Sequence, residues 1–276
     1  SADVLRSPSG TPLPRLPHRR LLRSEVCQSG GRLVFVGDVH GCIDELHALL
    51  KEVKFQQGRD TLVLVGDLVN KGPASGAVIK LARSLQALCV RGNHDDELLE
   101  AYYRVGRFAK GLEKYKHDAL FQVSHDDVRW LQEQPLSLTF PWIDVVVVHA
   151  GLVPDLPLEE QEFMTLTKVR NVQRRRSGNT ATGGGSAADW VPLERGSDDG
   201  AADSVAWAAA WRGPQHVVFG HDARRRLQEH PYATGLDTAC CYGVRLTALV
   251  ADSDDFALRK IHALNAFRPY AKKDKG

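Results

Sequence analysis

At 276 residues and 30.5 kDa the chain fits one α/β or sandwich domain of about 200–250 residues with tails, rather than two full domains. Its 43% apolar and 25% charged residues exclude a wholly disordered, collagen-like or coiled-coil chain. The 36 Lys and Arg nearly cancel the 34 Asp and Glu, which leaves no global field for nucleic acid or a membrane surface. Apolar runs such as Val145–Val148 are strand-sized, far short of the roughly 18 residues a membrane span needs.

Residues 1–30 carry four prolines and the basic run Pro17-His18-Arg19-Arg20, and read as an N-terminal extension. From Arg32 the pattern changes. Leu33–Val36 is a buried-strand run ending in Gly37-Asp38, followed by helical spacing from Asp44 to Val53. Thr61–Val65 repeats the arrangement, ends in Gly66-Asp67, and leads to an amphipathic stretch from Ala77 to Leu88. Cys89-Val90-Arg91 then runs into Gly92-Asn93-His94-Asp95 and a helix from Glu97 to Tyr103. Three successive strand-loop-helix units predict a largely parallel sheet with function at the strand C-terminal ends.

The second half is richer in strands. Ile143–Val148 ends at His149-Ala150-Gly151, His216–Phe219 ends at Gly220-His221-Asp222, and Leu246–Val250 and Phe256–Ile261 follow. Between them, residues 173–203 hold Arg174-Arg175-Arg176, Gly183-Gly184-Gly185 and Asp198-Asp199, the texture of a long loop or flexible insert. Its ends are expected to emerge near the face that carries the motifs. The predicted organisation is therefore an extension at 1–30, a catalytic domain at 31–265 that includes this insert, and a basic tail at 266–276.

The 5 cysteines are odd in number and lack a CxxC pair, so neither a disulfide framework nor a four-cysteine zinc site is expected. A reducing compartment, the cytoplasm, is the expectation. Met164 is the sole methionine, and a chain starting at Ser1 reads as a processed or truncated piece, with any targeting segment out of view.

Five strand ends each deliver Asp, Asn or His into a glycine-flanked loop: Asp38 with His40, Asp67, Asn93 with His94, His149, and His221. One such Gly-Asp is an ordinary turn and one buried histidine an ordinary hydrogen-bonded side chain. Five together supply the mixed oxygen and nitrogen donors that suit divalent first-row metals.

The ordered motifs Gly37-Asp38-Val39-His40-Gly41, Gly66-Asp67, Gly92-Asn93-His94-Asp95, His149-Ala150-Gly151 and Gly220-His221 resemble those of the calcineurin-like metallophosphoesterases. Within that family, His149 to Pro154, Leu166-Thr167 with Arg170-Asn171, Trp211-Arg212-Gly213-Pro214 and Gly235-Leu236-Asp237-Thr238 resemble the symmetrical diadenosine tetraphosphatase branch and its ApaH-like relatives. The resemblance covers roughly Arg32 to Ile261. It implies an α/β fold in which a β-sandwich is flanked by helices, α-β-β-α, with a dinuclear metal site at strand C-terminal ends.

It also implies roles. Asp38, His40 and Asp67 would hold one divalent metal, and Asp67, Asn93, His149 and His221 a second, with manganese expected and magnesium, zinc, iron or cobalt as alternatives. Such a pair clamps phosphate and supplies hydroxide for in-line attack. His94 would protonate the leaving oxygen. Lys71, Arg91, Arg170 and Arg212 are candidates for binding substrate phosphates, and so is the Arg224–Arg226 run. Asp222 is a candidate to orient His221, and Trp207, Trp211 and Tyr242 to stack a base.

Gly66-Asp67-Leu68-Val69-Asn70-Lys71-Gly72-Pro73 departs from the Gly-Asp-x-x-Asp-Arg-Gly usual in serine/threonine protein phosphatases. Lysine grips phosphate as a point charge, and Asn70 brings no carboxylate to His94. That favours leaving groups that are already acidic, as in phosphoanhydrides. The expected activity is hydrolysis of a phosphorylated small molecule or nucleotide: a dinucleoside polyphosphate such as diadenosine tetraphosphate, polyphosphate or a capped nucleotide. A serine/threonine protein phosphatase and an inactive binding scaffold are the alternatives. Protein partners are not legible.

Overall fold

The computed structural model describes residues 5–26, 30–105, 118–174, 189–193 and 203–272. In chain order they form β1 (His18–Arg20), β2 (Arg32–Val36), α1 (Ile43–Glu52), β3 (Thr61–Leu64), α2 (Ser75–Ser84), β4 (Leu88–Cys89), α3 (Asn93–Val105) and α4 (Asp118–Gln122). Next come α5 (His125–Gln132), β5 (Ser137–Phe140), β6 (Val145–Val148), α6 (Phe163–Lys168), β7 (Asn171–Arg174), β8 (Trp190–Pro192), β9 (Ser204–Ala206) and α7 (Trp207–Ala210). The chain closes with β10 (His216–Phe219), β11 (Gln228–His230), β12 (Ala233–Gly235), β13 (Arg245–Asp252) and β14 (Lys260–Asn265).

Two sheets carry the fold, one ordered β14-β13-β2-β3-β4 and the other β1-β5-β6-β10-β12-β11. Alternation along each strand assembles the layers. In β2, Leu33 and Phe35 point at the other sheet and pack among Leu138, Phe140, Val145 and Val147. Val34 and Val36 point the other way, onto Leu46 and Leu49 of α1 and Val78 and Ile79 of α2. In β6, Val146 and Val148 meet Leu166 and Trp207 on the far side. Both faces of each sheet are covered, so the central strands are uninterrupted apolar runs and the layers stack as α-β-β-α. Phe35 meets Phe140 and Phe256 edge-on, with centroids 5.9 and 6.0 Å apart, which locks the two sheets together.

The sheets are mixed rather than largely parallel. β2, β3 and β4 run parallel, but β13 pairs antiparallel with both β2 and β14. The expected helix from Ala77 to Leu88 ends at Ser84, because Gln86 turns to a φ of 53° and the Ala87 N–H donates to Ala82 O. That frees Leu88 and Cys89 to form β4. The expected strand Phe256–Ile261 begins as a 3₁₀ turn held by the Asp255 carboxylate on the Ala257 N–H, and extends only from Lys260.

Residues 1–30 are more than an extension. Within them β1 pairs in parallel with β5 at the sheet edge, and Leu21 is buried between the sheets. At the other end, Tyr270 of the expected basic tail donates to Glu45 and Ala266 packs on the helical core. The margins of the 173–203 insert form a small sheet ordered β8-β7-β9. Arg175, Arg176, Gly183–Gly185 and Asp198-Asp199 lie outside the described residues.

His216 opens β10 with its Nε2 2.9 Å from Thr234 Oγ1, and burial with the nearby Arg259 charge pulls its pKa down to about 4. Between that value and the ordinary 6.5 the unfolded chain binds the extra proton, so the contribution is whole above pH 6.5 and lost as pH falls toward 4. After solvent screening the loss is on the order of 1–2 kcal/mol. Urea unfolding at pH 7 and pH 4.5 should show it in the wild type, and His216→Gln should remove it.

Candidate active site

Asp38 and His40 follow β2, Asp67 follows β3, Asn93 and His94 follow β4, His149 follows β6 and His221 follows β10. The C-terminal ends of three strands of one sheet and two of the other thus meet at one point. Asn93 and His94 sit on the first turn of α3, which begins four residues earlier than its apolar spacing suggests, with Asp95 and Asp96 complementing the helix N-terminus.

Backbone strain is concentrated here. His40, Asp67, Asn70, Lys71 and His221 are all non-glycine residues with φ between 46° and 68°. Two glycines let the strands close around the carboxylates. A Cβ on Gly92 would collide with Asp67 Oδ1, and one on Gly220 with Asp38 Oδ1. The His94 N–H in turn donates to Asp67 Oδ1 at 2.9 Å.

Three histidines share one design. Nδ1 of His40 donates to Val69 O (2.9 Å), Nδ1 of His149 to Val65 O (2.8 Å) and Nε2 of His221 to Lys168 O (3.0 Å). The second nitrogen of each ring then faces side-chain oxygens. His149 Nε2 lies 3.1 Å from Asn93 Oδ1 and 3.4 Å from Asp67 Oδ1, and His221 Nδ1 lies 3.0 Å from Asn93 Oδ1. His40 Nε2 lies 3.5 Å from Asp67 Oδ2 and 3.9 Å from Asp38 Oδ2.

Ring nitrogens facing oxygen lone pairs in a buried site call for positive charge between them. The electrostatics show that demand. Burial pulls the His149 pKa down, yet Asp67 and Asp38 override it and raise it to about 10. Burial pushes Asp67 up, but His149, His94 and His40 hold it well below the usual carboxylate range. Burial and the neighbouring Asp237 carboxylate push Asp38 well above that range. The Lys71 ammonium donates to His40 Nε2 at 2.9 Å, a cation already drawn into the cluster. The donor set therefore fits divalent metal ions. Ligand atoms of Asp67, His149 and His221 lie within 4.8 Å of one another, as do those of His40, Asp67 and His94.

The other expected residues divide. Lys71 is in the cluster, and Arg170 borders it, its Nη2 donating to His221 O at 3.4 Å. Arg91 is not a phosphate ligand: it is fully buried and spans Asp96, Pro12 O and Gln132 O, because a guanidinium removed from water must satisfy its fork within the protein. Arg212 is exposed before the N-terminal end of β10, the opposite end from the one that delivers His221. Asp222 pairs with Arg225 and Arg170 rather than with His221. Trp207 is core, donating to Ala150 O and packed edge-on against Phe219. Trp211 packs at the margin of the same core and donates to Gln215 O, while Tyr242 lies under the Lys71 ammonium, 5.5 Å from ring centroid to Nζ.

Three carboxylates escape sequence reasoning. Asp95 accepts from the backbone N–H groups of Asp67, Leu68 and Gly92, tying two motif loops together, and burial with the Asp67 charge raises its pKa to about 6. Asp237 is buried beside Asp38 and its pKa is raised by that burial. Glu97 Oε2 lies 3.0 Å from His94 Nδ1 in ion-pair contact, and the His94 ring overrides burial to hold the Glu97 carboxyl below its ordinary value. The i,i+3 spacing of His94 and Glu97 on one helix was the available signal. The expectation that His94 lacks a carboxylate partner is thereby corrected. Asn70 instead donates to the His94 carbonyl.

The family model for calcineurin-like phosphoesterases matches residues 31–225, and the chain belongs to that family. It is 30% identical over 83% of its length to a symmetrical bis(5'-nucleosyl)-tetraphosphatase of Chromohalobacter salexigens, covering 97% of that protein. A protein of the same name from Citrobacter koseri is 32% identical over 78% of this chain and 89% of its own. A crystal structure described as that of a candidate diadenosine tetraphosphatase superposes with a TM-score of 0.74 and 37% identity, over 91% of this chain and 99% of that one. The family makes the chain a metal-dependent hydrolase. Among the described residues no helix is long and apolar enough to cross a membrane.

Proposed function

We propose that the chain hydrolyses phosphoanhydride bonds of dinucleoside polyphosphates, diadenosine tetraphosphate foremost, with polyphosphate and capped nucleotides as the neighbouring substrate classes. The observation that carries this reading is the near full-length similarity to symmetrical bis(5'-nucleosyl)-tetraphosphatases in a chain that keeps the whole Asp67-centred cluster. Asp38, His40 and Asp67 would hold one cation, and Asp67, Asn93, His149 and His221 another, with manganese the expected metal. Bound there, divalent ions supply charge to the phosphoryl group and acidify a water.

The chain's own residues do the rest. Lys71, beside His40, and Arg170, beside His221, neutralise phosphate oxygens. His94, held by Glu97, donates its proton to the leaving oxygen. Asp95 keeps the Asp67 and Gly92 loops in register while charge moves. The four described cysteines are free thiols, which supports a reducing compartment and the cytoplasm as the site of action.

The test is kcat/KM for diadenosine tetraphosphate against a phosphoserine peptide, with manganese at one pH. The anhydride should win by at least about tenfold, since its leaving group needs less help from an acid. A preference for the peptide would make the chain a protein phosphatase, and no turnover of either a binding scaffold. The same acid logic gives a second expectation. Glu97→Gln should slow phenyl phosphate several-fold more than p-nitrophenyl phosphate, whose leaving group hardly needs the proton. Equal slowing would mean that Glu97 does not act through His94.

A further inference from the structure

A second convergence of donor atoms lies outside the catalytic cluster, in the core that covers the α1 face of the first sheet. Cys42 is the N-cap of α1 and Glu45 sits on its first turn, and the i,i+3 spacing puts both on one face. Cys240 arrives from the loop between β12 and β13 and belongs to the same core as Cys42. The Sγ atoms of Cys42 and Cys240 and a carboxylate oxygen of Glu45 lie within 4.8 Å of one another. All three residues are buried, Glu45 completely.

Packing accounts for the thiols, since cysteine behaves in an apolar core as a small hydrophobe. It does not account for the carboxylate. Glu45 Oε1 accepts from the Phe267 N–H and the Tyr270 hydroxyl, both at 2.9 Å, which anchors the end of the chain on α1. Its Oε2 is buried without a hydrogen-bond partner. An acceptor-only oxygen taken out of water in this way is an unmet demand for positive charge. Neither neighbouring thiol meets it, and Cys42 donates to His40 O at 3.8 Å instead.

The donor types select the cation. Thiolate sulfur favours zinc over magnesium, calcium or manganese, which prefer oxygen. With zinc–sulfur bonds of about 2.3 Å and zinc–oxygen bonds of about 2.0–2.2 Å, tetrahedral donors stand roughly 3.5–3.8 Å apart, close to the spread found here. We propose that Cys42, Cys240 and Glu45 form a zinc site separate from the catalytic cluster, with a water in the fourth position. Zinc displaces the two thiol protons, which pass to solvent, while Glu45 binds as the carboxylate it already is. The ion joins three segments: the loop of His40, which runs into Cys42, the loop of Asp237, which runs into Cys240, and, through Glu45, the stretch holding Phe267 and Tyr270. None of this depends on which phosphoanhydride the chain cleaves.

The experiment titrates the chelator-stripped full chain with cobalt, which reports sulfur ligands by a thiolate-to-cobalt charge-transfer band in the near ultraviolet. The catalytic cluster contains no cysteine and is silent there. The band should develop in the wild type, vanish in Cys240→Ser and persist in Cys241→Ser, the adjacent thiol outside the group. After zinc loading and gel filtration, elemental analysis should find about one zinc per chain fewer in Cys240→Ser than in the wild type. Glu45→Gln keeps an oxygen for Tyr270 but loses the charge, and should release this zinc to a chromogenic chelator at least about tenfold more readily. No charge-transfer band in the wild type overturns the inference without any variant having to fold. So does a band that survives Cys240→Ser, one lost in a Cys241→Ser chain shown by circular dichroism to be folded, or zinc held equally by Glu45→Gln.

Discussion

Asp67→Asn reduces hydrolysis of every substrate by at least about 10³-fold and lowers the manganese retained per chain, with the fold intact. The argument starts from the position of Asp67: its two oxygens face His149 on one side and His40 on the other. No other described side chain belongs to both groups of converging ligand atoms. Replacing the carboxylate by an amide keeps an oxygen for the His94 N–H and preserves the turn, but removes the negative charge on which both groups depend. Several kcal/mol of transition-state stabilisation go with it, which sets the size of the loss. Elemental analysis after gel filtration and kcat on p-nitrophenyl phosphate check the two halves independently. Full turnover by the variant in metal-stripped buffer would end the two-metal reading.

His94→Ala should slow turnover of phenyl phosphate by about 10²–10⁴-fold while leaving metal content near that of the wild type. The structure sharpens this expectation and also shows how it can fail. The His94 ring stands edge-on to His40, with centroids 4.9 Å apart, close enough for its nitrogens to join His40 and Asp67 around one ion. Unlike His40, His149 and His221, it makes no hydrogen bond from a ring nitrogen to a backbone carbonyl among the described residues. Its Nδ1 faces Glu97 instead, a carboxylate partner that serves a proton donor and a metal ligand equally well, so metal content decides between them. If metal content falls with the activity, His94 is a ligand and the acid lies elsewhere.

The site was legible because its residues sit where strands end, and strand ends in an open α/β arrangement are marked twice, by an apolar run and by glycine. Asp38, Asp67, Asn93, His149 and His221 each carry both marks. What stayed hidden lacks them. Asp95 and Asp237 are second partners of the same loops, and only distances show that one gathers three backbone N–H groups while the other leans on Asp38. Arg91 misled for the converse reason. A charged residue beside a motif reads as a substrate ligand, and nothing local shows that the chain folds back to bury it. The layer order followed from the family resemblance. Strand order did not follow from the strand-loop-helix units, because β13 and β14 return from the far end of the chain to pair with β2.

That fold-back of the first residues bears on how the molecule can be divided. The family match begins at residue 31, and a boundary drawn there looks natural in sequence. Yet Ser9 and Thr11 donate to the Asp96 carboxylate, Pro12 caps the guanidinium of Arg91, and β1 covers the edge of β5. Asp96 is one turn from the start of α3, the helix that presents Asn93 and His94. A fragment cut at residue 31 would keep every motif and lose the clasp behind them, with a buried charge pair stripped of partners and an unprotected strand edge open to self-association. The smallest autonomous unit is therefore larger than the catalytic signature, and its proline-rich first segment is a working part of the helix that presents Asn93 and His94.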